Sequence, residues 1–466
     1  MTHPSTRNRI IFLGPVLFVI FGFLFYSLGW PINQAITAAT AIWCALWWST
    51  EAIPIPATSL IPLSLLPITG VLNSSQVANS YGSPLILLLL GGFIISKSME
   101  KSGAHRRVAL GLVNLMGGEN PRRLVFGFML ASAVLSMWIS NTATTLMLFP
   151  VALAVLEKMP DDRLTVPLLL GVAYAASIGG IGTPVGTPPN LVFMEIYRET
   201  TGTEMGFLAW MRFAVPVVIV LLPAVAWWMT RNLQAPAVVL PAVGKWSKAE
   251  TRVFVVFAIT AILWITRTPE GWGWKYYFDL PWANDGQVAL LAAIALFIIP
   301  DGTVTGKGEK GRLLDWEYAS RIPWGVLLLF AGGIALAKGF VVSGLSARLS
   351  EHLVQLSHLP VIVMIAGIAL VVTFLTEITS NTATTTLLMP ILAAAGVAAN
   401  IDPALLMVPA AISASCAFML PVATAPNAIV FGSGKIPIQS MIRYGLALNV
   451  IGVVVVTMVI DLLLSI

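Results

Sequence analysis

An eleven-residue phrase occurs almost twice in this chain. SNTATTLMLFP at 140–150 returns as SNTATTTLLMP at 380–390, an offset of 240. Two further blocks keep nearly the same spacing. Gly91-Gly92, Lys97 and Ser102-Gly103 match Gly332-Gly333, Lys338 and Ser343-Gly344 at an offset of 241, and PVGTPPN at 184–190 matches PVATAPN at 421–427 at 237. Three blocks in one order make the chain an internal duplication, so its two halves are expected to share one fold.

That fold belongs in a bilayer. Of 466 residues, 57% are hydrophobic and 10% charged, against roughly 25% charged in a soluble domain. So few charges cannot cover a soluble surface. Many apolar runs exceed about 18 residues, the length of a membrane-crossing helix. Disordered, collagenous and disulfide-scaffold classes are excluded. Cys44 and Cys416 lie far apart in apolar segments and read as packing residues. The net charge of +5 marks cytoplasmic loops rather than a nucleic-acid partner. The run from Ile10 to about Leu28 lacks a small-residue cleavage site and is expected to remain as a helix. Further spans are expected near 34–50, 54–71, 83–102, 207–230, 249–266, 285–300, 324–343 and 440–465.

Lysine and arginine set the orientation. With the N-terminus inside, the cytoplasm receives Lys101, Arg106, Arg107, Arg122 and Arg123, then Arg231, Lys245, Lys248 and Arg252, then Lys307, Lys310, Arg312 and Arg321. The opposite side receives the uncharged loops 28–33 and 72–82 and the acidic or aromatic stretches around Glu199, Glu204, Trp272 and Trp282. The first repeat then begins outside and the second inside, so the halves are inverted. Inverted repeats with interrupted helices typify secondary transporters, whose site lies at the repeat interface.

Two segments do not fit simple crossings. Leu124 to Leu156 is a largely apolar stretch of 33 residues with a polar centre, Ser140-Asn141-Thr142. It is too long for one crossing and short of the about 40 residues that two require. A re-entrant hairpin with its tip near the midplane resolves this, and 361–399 repeats the pattern around Ser380-Asn381-Thr382. In each half the third block also interrupts a long apolar helix, since Pro184, Pro188 and Pro189, or Pro421 and Pro426, cannot continue one. A lone interruption is a packing kink. Two matched ones, each paired with a polar hairpin, point to a binding site.

Helix ends supply the chemistry. The free carbonyls of a broken helix, with Ser, Thr and Asn oxygens, suit a hard cation such as sodium. Its free N–H groups suit carboxylate or sulfate. No arginine, lysine or histidine occurs in the hairpin tips or breaks. A divalent anion there needs another source of neutralisation, and co-bound cations provide one. Glu377 is the one acidic residue inside either hairpin. It either touches a proton or sodium, or pairs with a neighbouring donor and steadies the tip; the steadying role is favoured. Lys97 and Lys338 read as snorkelling or interface residues.

The two SNT motifs, the matched proline breaks and TEAIPIPATSLIP at 50–62 resemble the divalent anion:sodium symporter family, and the resemblance covers nearly the whole chain. It implies an all-α polytopic membrane protein of the bacterial inner membrane, with about eleven transmembrane helices, two re-entrant hairpins, a homodimeric scaffold and an elevator motion. The expected division is N-terminal scaffold helices at 1–50 and a first inverted repeat at 51–232, with hairpin 121–158 and broken helix 166–200. Connecting and scaffold helices follow at 233–300. The remainder of the second repeat is 301–466, with hairpin 358–399 and broken helix 403–433. The resemblance implies one sodium site at Ser136, Ser140, Asn141 and the Gly186 backbone, and another at Thr376, Ser380, Asn381 and the Ala423 backbone. Substrate would meet Asn141, Thr142, Thr187, Asn381, Thr382 and Thr424. The activity expected is sodium-coupled import of C4-dicarboxylates such as succinate, malate and fumarate. A sodium-independent exchanger and a sodium-coupled citrate or sulfate carrier are the alternatives. An intramembrane enzyme is disfavoured, because the histidines sit in or beside loops and no HExxH pattern occurs. A channel suits two occluding hairpins less well than a carrier does.

Overall fold

The computed structural model describes residues 4–117, 120–157, 162–234, 244–268, 272–304, 310–353 and 360–464. The outer hairpin ends expected at 158 and 358 lie outside them. Helix starts follow from capping side chains and prolines. Ser83 and Asn120 cap Pro84–Ser102 and Pro121–Ser136, and each helix opens on a proline whose missing N–H has no intrahelical partner to lose. The serine of the first SNT motif does the same job: Ser140 accepts from Ala143 N and starts Asn141–Leu156. The motif is thus a helix start as well as a polar patch.

Each segment expected to form a hairpin holds two helices joined by a short tip. Pro121–Ser136 and Asn141–Leu156 flank the tip 137–140, and Val361–Leu375 and Asn381–Ala398 flank the tip 376–380. Thr165–Ile181 packs against both arms of the first pair, and Ala404–Ser413 against both arms of the second. Beyond the breaks the repeats exchange partners. Pro188–Thr201 packs on Asn381–Ala398, while Ala425–Phe431 packs on Thr165–Ile181 and Asn141–Leu156. Phe207–Thr230 and Ile438–Leu464 close the group, packing on each other and on the first arm of each hairpin.

The remaining helices pair around this group: Pro4–Ser27 with Ile32–Thr50, Pro84–Ser102 with Asp285–Ile298, and Trp324–Val342 with Leu60–Ile68. The glycine pair of the first block explains one close approach. A Cβ on Gly91 would come within 2.5 Å of the Ala289 Cβ, so only glycine lets those two helices meet. Large apolar side chains such as Phe12, Val19 and Phe23 face outward, which is costly in water and natural in lipid. Among the described residues, six helices are long and apolar enough to cross a membrane, Asn381–Ala398 among them, and the shorter apolar helices include Asn141–Leu156, Val361–Leu375, Thr165–Ile181 and Ala404–Ser413.

The fold is all-α apart from one small departure from expectation. A two-stranded antiparallel ribbon pairs Pro300–Val304 with Lys310–Arg312 in a loop. The span expected at 54–71 is also split, into Ile55–Thr58 and Leu60–Ile68, because prolines 54, 56, 62 and 67 crowd it. Inside the hairpins, several motif threonines satisfy themselves. Thr145 and Thr385 donate to the carbonyls of Asn141 and Asn381 at 2.9 and 2.8 Å, and Thr386 donates to Thr382 O at 2.8 Å.

Candidate functional site

An open cavity of about 2130 Å³ lies where the tips and breaks meet. Its wall contains Ser140, Asn141, Thr142, Gly186 and Thr187 from the first repeat, and Ser380, Asn381, Thr382, Ala423 and Thr424 from the second. The remaining expected residues, Ser136 and Thr376, are fully buried behind this wall. Each steadies the asparagine of its own motif. Ser136 Oγ donates to Asn141 Oδ1 and Thr376 Oγ1 approaches Asn381 Oδ1, both at 2.6 Å. The sequence reading thus gathers one continuous wall from segments 240 residues apart.

Four helices begin at this wall: Asn141–Leu156, Pro188–Thr201, Asn381–Ala398 and the short Ala425–Phe431. Pro188, Pro189 and Pro426 carry no N–H, so the free first-turn amides come mainly from the Asn141 and Asn381 helices, while the dipoles of the helices present partial positive charge to the cavity. The capping hydroxyls differ in a crosswise pattern. Ser140 and Thr424 are engaged with Ala143 N and Asn427 N, whereas Thr187 and Ser380 make no capping bond. Each repeat therefore contributes one engaged and one free capping hydroxyl. The cavity's cations, Arg7, Lys97, Arg106 and Arg321, come from other elements. Lys97 is paired with Glu100 at 2.6 Å and Arg321 with Glu317 at 2.7 Å, and Arg7 donates to Ala52 O at 2.9 Å. His105, also at the cavity, has its imidazolium disfavoured by burial, which outweighs its bond to the Met99 carbonyl and lowers its pKa.

The breaks are held by residues outside the expected sodium and substrate sites. Asn190, the last residue of PVGTPPN, donates to the carbonyls of Gly180, Ile181 and Thr183 at 3.0, 3.2 and 2.7 Å. Asn427, its match in PVATAPN, donates to Ala417 O at 3.0 Å and Leu420 O at 3.1 Å. Trp210 Nε1 adds a bond to Ile181 O at 2.9 Å. The repetition of both asparagines was the available signal; a side chain reaching backward across a break is not visible in a pattern of apolar residues. Thr183 Oγ1 donates to Met137 O and ties the first break to its tip. Gly186 is sterically required: a Cβ there would run into the carbonyl oxygen of Gly180.

The second break departs from expectation. Sequence places it at 420–427, but helix ends at Ser413 and irregular backbone runs from 414 to 424. Glu377 takes up the amides this stretch leaves free. This buried carboxylate accepts from Phe418 N and Met419 N at 2.7 and 2.9 Å through Oε1, and from Leu420 N at 3.0 Å through Oε2. Asn449 Nδ2 donates to the same Oε1 at 2.8 Å. The favoured steadying role is what the geometry displays. Lys338, with its Nζ 3.7 Å from a Glu199 carboxylate oxygen, lies between two helices as an interface residue.

A model of the citrate transporter family (CitMHS) matches residues 45–407. The chain belongs to that family of membrane transporters. Relatives named sodium-dependent dicarboxylate transporter SdcS extend the match to almost the full length, as the SNT motifs led one to expect. The Staphylococcus saprophyticus protein is 41% identical over 97% of this chain and 90% of its own. That of Staphylococcus aureus USA300 is 40% identical over 98% and 91%. The resemblance to the divalent anion:sodium symporters is thereby borne out. The YdaH transporter of Alcanivorax borkumensis shares the fold, with a TM-score of 0.58 at 13% identity over 84% of this chain and 88% of that one. So does MtrF of Neisseria gonorrhoeae, with a TM-score of 0.56 at 14% identity over 85% and 83%.

Proposed function

We propose that this family member is a sodium-coupled symporter that imports C4-dicarboxylates such as succinate, malate and fumarate. The observation that carries the reading is the convergence of four helix starts on a cavity whose tips and breaks hold no basic side chain. N–H groups and hydroxyls there suit carboxylates. Sodium, held by motif oxygens and break carbonyls, neutralises the dianion. The printed names of the relatives support the same cargo. Sodium would meet Ser136, Ser140, Asn141 and the Gly186 backbone in one site, and Thr376, Ser380, Asn381 and the Ala423 backbone in the other. The anion would meet Asn141, Thr142, Thr187, Asn381, Thr382 and Thr424 between them.

The cycle follows from the packing. The hairpins and broken helices interlock across the repeats, so they move as one body past the paired peripheral helices of a homodimer, in an elevator motion. The first hairpin enters and leaves on one side, because each of its 16-residue arms is about 24 Å long and a bilayer core about 30 Å thick; the second, with arms of 15 and 18 residues, is read the same way from its matched motif. With the N-terminus cytoplasmic and the C-terminus opposite, in a bacterial inner membrane, the cavity mouth beside Arg7, Arg106 and Arg321 faces the cytoplasm. The conformation is then inward-open. Coupling requires sodium and anion to favour the same states. The matched family's description makes citrate the second reading for the cargo.

Purified protein in liposomes tests this. Labelled succinate is expected to accumulate under an inward sodium gradient and not with choline. Excess malate and fumarate should compete, and sulfate should not. Equal uptake in choline would sink sodium coupling, and competition by citrate alone would favour the second reading.

A further inference from the structure

Consecutive residues at the end of one hairpin arm grip both ends of the second break. Thr376 Oγ1 lies 3.0 Å from Ala414 O, a carbonyl released where the helix stops. The neighbouring Glu377 takes the amides of Phe418, Met419 and Leu420 on the far side of the unwound turn. The hold passes onward. The carbonyl of Leu420, whose amide Glu377 fixes, accepts from Ala423 N at 3.2 Å and Asn427 Nδ2 at 3.1 Å. The first repeat has no such device. Met137 occupies the matching tip position, helix runs on to Ile181, and the tip-to-break bond is the neutral one from Thr183 to Met137 O.

We propose that Glu377 is the positioning residue of the second cation site. The carboxylate shapes residues 418–423 so that the Ala423 backbone faces the Ser380-Asn381 tip, and the second site depends on it while the first does not. This rests on the sodium-coupled reading above. A buried carboxylate with four N–H partners is a rigid anchor, because removing one partner of a charged hydrogen bond leaves the others uncompensated. Glutamine keeps one acceptor oxygen but turns an NH₂ toward an N–H donor, so Glu377→Gln loosens the turn without changing its volume.

The experiment is a sodium titration of succinate uptake in liposomes for wild type, Glu377→Gln and Asn449→Leu, each first checked for a single symmetric peak on size exclusion. Glu377→Gln is expected to raise the half-saturating sodium concentration roughly tenfold, the equivalent of one charged hydrogen bond. Its maximal rate should be largely restored at high sodium and its succinate KM there close to wild type. Asn449→Leu removes one of the four donors and should shift the same curve less. It decides the question if Glu377→Gln does not fold. An unchanged sodium midpoint in a folded variant overturns the proposal, as does a loss of maximal rate that sodium does not restore. Wild-type uptake indifferent to sodium overturns the sodium reading itself, so the two failures are distinct.

Discussion

The two repeats share a hairpin motif almost letter for letter and build the adjoining break in different ways. In the first, glycines carry the helix through Gly179-Gly180 to Ile181, and Asn190 bonds three carbonyls across a short turn. In the second, Ala417 stands where Gly180 does, Ala423 where Gly186 does, and a glutamate holds eleven irregular residues, 414–424, open. Duplication preserved the surface shown to the cavity and let the backing diverge. One break is closed on itself by backbone fit; the other is anchored to its hairpin by charge.

The largest expected effect concerns what the repeats share. Asn141→Ala and Asn381→Ala should each lower succinate uptake at least roughly hundredfold, about 2.7 kcal/mol, with the proteins still folded. Wild-type uptake in either would mean that its repeat does not contribute to the pocket. The next effect concerns where they differ. Gly186→Ala forces a Cβ onto the Gly180 carbonyl and should cut uptake at least about tenfold, whereas Ala423→Gly should stay within about threefold. Similar losses in both would erase the claimed difference in backbone fit.

Stability should report the same asymmetry more weakly. Asn190→Leu removes three bonds to carbonyls and Asn427→Leu two, at about 1 kcal/mol each. Thermal unfolding of the purified variants should therefore rank Asn190→Leu as the less stable. The smallest effect is electrostatic and falls in the first turn of Lys248–Ile265. Burial raises the Glu250 pKa, but bonds from Arg107 and from Ser247 override it and leave the carboxyl below its usual range. Its stabilising contribution is therefore present above about pH 4.3, the unfolded value, and is lost as pH falls through the lower folded value. Glu250→Gln should lower thermal stability slightly at pH 7 and converge with wild type on acidification.

Much of this molecule was legible because its signals are local. SNT is a helix start, a capping serine followed by helix, and proline stops a helix wherever it falls. Two copies at one offset turned those local signals into an architecture, and the cavity wall was assembled from sequence without coordinates. The backing was not legible. Glu377 reads as a lone acid in an apolar segment until the amides of 418–420 are seen 41 to 43 residues away. Asn190 and Asn427 repeat faithfully, yet their bonds run backward to carbonyls, which leave no trace in side-chain patterns. Ser136 and Thr376 were expected among the cation ligands, and their hydroxyls also serve the asparagines beside them. The short ribbon of Pro300–Val304 and Lys310–Arg312 escaped because five or fewer residues per strand give no usable alternation.

The central claim is that sodium and a dicarboxylate complete one pocket made by both repeats. Equilibrium binding of labelled succinate to the purified protein, titrated with sodium at constant ionic strength in choline, tests it without transport. Binding should be absent in choline, rise cooperatively with sodium, and vanish in both Asn141→Ala and Asn381→Ala. Binding of equal strength in choline, or binding that survives loss of either asparagine, would contradict it.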